Sequence, residues 1–266
     1  MIRDITLGQY FPGESWIHRL DPRIKIVGTL AYIVALFIVG DFWGFLIAVA
    51  ALFGVIGISR VPLKFILKGL KPIFIIILFT FVLNLFMIPG KVIWSFWILT
   101  ITEEGLYTAF FMAARLILLL LGSSLLTLTT RPIRLTDGIE SLLSPLRKVG
   151  VPAHELAMMM TIALRFIPTL LEETDKIMKA QQARGADFES GNILRRAKSL
   201  IPILVPLFIS AFRIAQELAM AMEARCYRGG RHRTRMNAMK LEKRDFAAGL
   251  LLVAFVAAII AERILL

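Results

Sequence analysis

Few side chains in this sequence are spaced to do chemistry on a small molecule. The three histidines, His18, His154 and His232, lie far apart and form no metal-ligand motif. Cys226 is the single cysteine, which excludes an internal disulfide and a multi-cysteine metal site. His18 and Asp21 are close enough for an acid–base pair, but Asp21 directly before Pro22 reads more simply as a helix N-cap with proline at the first helical position. Gly229-Gly230 lacks the spacing and the terminal Lys-Ser/Thr of a phosphate-binding loop. Two arginines stand out instead. Ala183-Arg184-Gly185 and Ala224-Arg225-Cys226 each close a long helical pattern. A guanidinium at a helix C-terminus favours the dipole and offers several charge-assisted hydrogen bonds. Two roles are therefore open to each: capping its own helix, or gripping an acidic groove on a partner.

The elements that must hold these arginines are dictated by composition. Of the 266 residues, 58% are hydrophobic and 19% charged, with a mean hydropathy of +0.75. Unbroken apolar runs of about 18 residues or more are the signature of membrane spans. Met1 to Pro12 shows no cleavable signal pattern. The net charge of +12 is distributed unevenly: of 31 Lys and Arg, 20 fall between Arg131 and Arg244, four between Arg3 and Lys25 and four between Arg60 and Lys71. Clusters on alternate sides of apolar runs follow the positive-inside rule, which argues for anionic lipids and against nucleic acid as the partner of this charge.

Five spans are expected. Ile24–Val39 and Trp43–Ile58 are separated by Gly40-Asp41, where a turn is far cheaper than a mid-membrane carboxylate. Arg60, Lys64, Lys68 and Lys71 form a stripe suited to an interfacial helix or a basic loop. Pro72–Ile88 is the third span, with Asn84 available to a neighbouring helix. Lys91–Gly105, bearing Trp94 and Trp97, is an outer segment; Leu106–Thr129, carrying Arg115, is the fourth span. The last runs from Phe246 to the end, giving a cytoplasmic N-terminus and an external C-terminus. The expected organisation is a membrane domain at 1–130, a cytoplasmic coupling domain at 131–245 and a final transmembrane helix at 246–266.

The middle region holds the arginines. A short amphipathic helix is expected over Thr136–Leu146, ended by Gly150 and Pro152. Ala153 to Arg184 keeps helical apolar spacing, with Pro168 predicting a kink and Gly185 a left-handed close. After a charged connector at Asp187–Ser199, Leu200 to Arg225 repeats the pattern, and Arg213, Glu217 and Glu223 make it a poor span. Laying Arg184 over Arg225 aligns Ile177 with Leu218 and Leu171 with Phe212, a faint internal echo suggesting two equivalent ends.

With these features the chain resembles the transmembrane coupling (T) component of energy-coupling factor (ECF) transporters for vitamins and trace metals. The resemblance rests on His18–Lys25 ahead of the first span and on the two Ala-Arg endings, and it extends over essentially the whole length. The second ending often carries Gly in that family where this chain has Cys226. The resemblance implies an all-α membrane protein with long crossed amphipathic helices, located in a bacterial or archaeal cell membrane. It implies partnership with two ABC ATPase subunits, which would carry ATP-Mg, and with a substrate-binding S component. It also implies that Arg184 and Arg225, with Ala183, Gly185, Ala224 and Cys226, dock those ATPases, and that this chain is no enzyme. The rival classes, a membrane-embedded enzyme and a self-sufficient secondary transporter, need a polar constellation within the spans. Asp41, Asn84 and Arg115 do not make one.

Overall fold

The computed structural model describes residues 10–96, 99–188, 192, 194, 198–229 and 239–265. Its helices are α1 (Pro22–Ile38), α2 (Phe42–Ser59), α3 (Leu63–Lys68), α4 (Phe74–Met87), α5 (Glu103–Thr129), α6 (Pro132–Leu143), α7 (Ala153–Ala183), α8 (Ile201–Ala224) and α9 (Lys243–Leu265). A short antiparallel hairpin, β1 (Val92–Phe96) with β2 (Leu99–Thr102), precedes α5. Parts of the expected connector at Asp187–Ser199, and Arg3, Trp97, Gly230, Arg231, His232 and Arg233, lie outside the described residues. The chain divides into two compact units, one formed by residues 10–142 with 239–265 and the other running from 143 to 229.

The first unit packs α1, α2 and α5 around a dry core of Leu36, Phe45, Leu52, Leu118, Leu121 and Leu125, joined by Ile66 of α3 and Ile259 of α9. Gly122 lets α5 and α1 approach closely, since a Cβ there would lie 2.5 Å from the Tyr32 ring. Asp21 caps α1 as expected, its carboxylate accepting from the Arg23 N–H at 2.9 Å. Asp41 falls in the turn before α2 and makes no side-chain cap bond.

Charged side chains fasten helix ends at both extremities of this unit. At the Pro22 end, the Asp245 carboxylate accepts the backbone N–H of Asp21 at 2.8 Å and that of Glu242 at 2.8 Å. The second bond is the reach-back half of a capping box, so one carboxylate serves the starts of both α1 and α9. Beside it the Lys25 amine donates to the carbonyls of Thr129 at 2.9 Å and His18 at 3.2 Å, closing the end of α5. His18 is held between the Ser15 hydroxyl and the Phe11 carbonyl, and burial lowers its pKa below the ordinary 6.5. At the opposite extremity the guanidinium of Arg115 donates to the Val39 carbonyl at 2.6 Å and that of Arg263 to the Ile38 carbonyl at 2.5 Å. Glu262 accepts the Gly44 N–H at 2.9 Å near the start of α2. Cations thus meet helix C-termini and anions meet N-termini, the arrangement the peptide dipoles favour.

Several expectations are refined here. The outer segment is a hairpin tied to α4 and α5, with the Thr102 hydroxyl donating to the Ile88 carbonyl and accepting the Gly105 N–H. Because Thr102 caps it, α5 begins at Glu103 rather than Leu106. Asn84 donates to the Thr80 carbonyl of its own helix, not to a neighbour. The short amphipathic helix begins four residues earlier than expected, at Pro132, and gives way to a 3₁₀ turn over Ser144–Val149.

By length and composition alone, the helices fit to span a bilayer overlap the expected set only in part. Among the described residues, five helices are long and apolar enough to cross a bilayer: α2, α5, α7, α8 and α9. The expected set counts α1 and α4 and sets α7 and α8 aside. Yet α1 has 17 residues and α4 has 14, and 14 residues rise only about 21 Å against a core of about 30 Å. The charges of α7 and α8 weigh against them in the sequence, but their length tells the other way; Ile201 to Phe212 contains no charge.

Candidate functional site

The arginine-bearing ends of α7 and α8 have the same backbone construction. At the first, the Gly185 N–H bonds the Gln182 carbonyl at 2.9 Å and the Ala186 N–H bonds the Gln181 carbonyl at 3.0 Å. At the second, the Cys226 N–H bonds the Glu223 carbonyl at 2.8 Å and the Tyr227 N–H bonds the Met222 carbonyl at 3.0 Å. Both are Schellman closures, in which backbone groups satisfy the last carbonyls. Gly185 has φ +89° and Cys226 φ +54°. Glycine adopts that region freely, whereas for cysteine it costs roughly 1–2 kcal/mol. The echo read from the sequence is therefore a repeated three-dimensional ending.

Because the backbone closes both helices, the guanidinium groups are not spent on capping. Ala183, Arg184, Gly185, Ala224, Arg225 and Cys226 are all exposed. Among the described residues neither Arg184 nor Arg225 makes a side-chain hydrogen bond or ion pair.

The two helices run antiparallel. The Gln181 side chain donates to the Pro202 carbonyl at 3.4 Å, placing the end of α7 beside the start of α8. The Tyr227 hydroxyl meets His154 Nε2 at 3.3 Å, placing the end of α8 beside the start of α7. Between these ties, Ile162, Phe166 and Leu170 of α7 face Ile214, Leu218 and Met222 of α8. Arg184 and Arg225 consequently stand at opposite ends of the pair, about 36 Å apart by the 24 residues of α8 at 1.5 Å rise per residue. The outer face of α8 remains apolar, with Leu204, Val205, Phe208, Ile209 and Phe212 exposed and the two phenylalanine rings 5.0 Å apart.

The His154–Tyr227 contact leaves no trace in the sequence, since 73 positions separate the two in the chain. No cluster of three or more metal-ligating side chains occurs among the described residues.

The family described as CbiQ, cobalt transport protein, matches residues 13–236. The chain is 64% identical over 247 residues, 93% of each chain, to the energy-coupling factor transporter transmembrane protein EcfT of Thermosediminibacter oceani. To the protein of the same name in Clostridium kluyveri it is 62% identical over 268 residues, 99% of this chain and 98% of the other. Against its namesake in Bacillus subtilis the figures are 49% over 236 residues, 88% and 89%.

Proposed function

We propose a role that starts from membership: the chain belongs to the family of energy-coupling factor transporter transmembrane proteins. It is a multi-pass membrane protein and a non-catalytic coupling scaffold of such a transporter. The finer reading is that Arg184 and Arg225, each with its flanking residues, dock two ABC ATPase subunits at the cytoplasmic face. ATP-Mg is bound and hydrolysed on those subunits, and a substrate-binding S component sits against this chain. The region from 131 to 245 is the coupling part, 1–130 and 246–266 are membrane anchors, the N-terminus is cytoplasmic and the C-terminus external.

The observation that carries this reading is the pair of exposed, unpartnered arginines on identical closures at opposite ends of one antiparallel helix pair. A separation of about 36 Å, taken from helix rise, suits two separate grooves better than one. Movement of either docked subunit pulls on a helix packed along its length against its companion, which supports coupling rather than simple tethering.

Truncating a docked arginine that is buried on binding should cost roughly 2–5 kcal/mol, part of it from the partner carboxylate left unpaired. The other end still holds the complex through high effective concentration. Arg184→Ala, Arg225→Ala and the double variant are to be compared for membrane level, retention of co-expressed ATPase subunits and substrate uptake. Each single change should weaken retention and the double change should abolish it at normal membrane level. Full retention and uptake in the double variant would refute docking.

A further inference from the structure

We propose that Tyr227 and His154 are positioning residues for Arg225, locking the second arginine-bearing end onto the first turn of α7. The inference rests on the docking role of Arg225 proposed above.

Arg225 is bracketed by two fixed points. Before it lies the end of α8, and the cap bonds from Cys226 and Tyr227 back to Glu223 and Met222 set the course of the chain. Beyond it, Tyr227 is half-buried and its hydroxyl lies 3.3 Å from His154 Nε2. His154 is the second residue of α7, in a turn whose Ala153 and Ala157 are buried at 3% and 6% exposure. A phenol at this position is a rigid lever with two side-chain torsions. Anchored at its tip, it leaves the backbone of residues 225–226 little freedom, while the Arg225 side chain stays in solvent. Load on Arg225 therefore enters α8 through its end and α7 through its start.

The first arginine-bearing end has no tyrosine in that place. The place equivalent to Tyr227 is held by Ala186, whose methyl cannot reach across. The cross-helix tie at that end comes from Gln181, upstream of Arg184, at a longer 3.4 Å. The two ends share a backbone closure and differ in the side chain two positions beyond the arginine.

The test is a double-mutant cycle on the full chain in membranes with its co-expressed ATPase subunits. Tyr227→Phe keeps the ring and removes the hydroxyl; His154→Gln keeps a polar group able to pair with that hydroxyl. In an Arg184→Ala background, where Arg225 alone tethers, Tyr227→Phe should lower ATPase retention roughly two- to tenfold, the range of a single net hydrogen bond. In an Arg225→Ala background it should have no further effect, because a positioning residue acts only through the group it positions. His154→Gln should retain more ATPase than His154→Ala. An equal loss from Tyr227→Phe in both backgrounds, or none in either, overturns the proposal, and so does equality of the two His154 variants. If Arg225→Ala alone changes nothing, the docking reading fails, a result separable from failure of the positioning pair. Should Tyr227→Phe not accumulate, the His154 comparison carries the decision.

Discussion

Replacing Asp245 is the sharpest test of how the membrane unit is held. Its carboxylate is 2% exposed and accepts two backbone N–H groups at 2.8 Å, one at the start of α1 and one at the start of α9. Asp245→Ala leaves both donors without their acceptor, the Asp21 N–H in a buried bond and the Glu242 N–H in a part-buried one. At about 1–3 kcal/mol for the buried Asp21 donor and about 0.5–1.5 kcal/mol for the part-buried Glu242 bond, the loss is roughly 1.5–4.5 kcal/mol, with a further fraction from removing an anion at two helix N-termini. Asp245→Asn keeps one carbonyl acceptor and should cost about half as much. Against a total stability of about 5–15 kcal/mol, the alanine variant should melt far below the wild type or fail to accumulate. The assay is thermal unfolding of the purified protein in mild detergent. Asp41→Ala serves as control, because Asp41 is exposed and makes no cap bond. The ranking expected is Asp41→Ala close to wild type, then Asp245→Asn, then Asp245→Ala. A melting temperature for Asp245→Ala equal to that of the control would refute the reasoning.

The same geometry sets three further outcomes. Cys226→Gly relieves a left-handed cysteine and should stabilise the end of α8 by about 1 kcal/mol, read as protection of backbone amides near Glu223 in hydrogen exchange. Arg115→Leu removes a charged donor from the Val39 carbonyl and should cost about 1.5–3 kcal/mol in thermal unfolding, whereas Lys91→Leu should cost little. His18 titrates below its ordinary 6.5 because it is partly buried, with the nearby Lys25 adding to the effect and the bond to the Phe11 carbonyl opposing it. The unfolded chain then takes up a proton before the folded one does, so stability is full above about pH 6.5 and declines as pH falls through the folded pKa. The thermal midpoint should drop between pH 7.5 and 5.5, and His18→Gln should flatten that slope.

How much of this is legible in the sequence depends on whether the signal is local. The Asp21-Pro22 cap, the turn at Asp41 and the left-handed close at Gly185 are decided by neighbouring residues, and all three are readable. The Ala-Arg endings are readable as endings, but only the backbone closures reveal that the guanidinium groups are left over. The hairpin escapes a sequence reading because Val92–Thr102 is almost uniformly apolar or β-branched, so no alternation of polar and apolar residues marks its strands. Asp245 is inconspicuous between Arg244 and Phe246, since its two partners include an N–H belonging to residue 21. His154 and Tyr227 likewise meet only through the antiparallel run of α7 and α8. Judging spans by charge favours the more apolar α1 and α4, while helix length favours α7 and α8.

The fastening of α1 has a consequence for how the protein is made. The N–H of its N-cap residue Asp21 waits for Asp245, and its last carbonyls wait for Arg115 and Arg263. Asp245 leaves the ribosome 224 residues after Asp21, so the bonds at the ends of α1 are completed only once α9 has been made. A chain stalled before α9 keeps the Asp21 cap and the Arg115 bond but lacks the acceptor for the Asp21 N–H and the Arg263 donor to the Ile38 carbonyl.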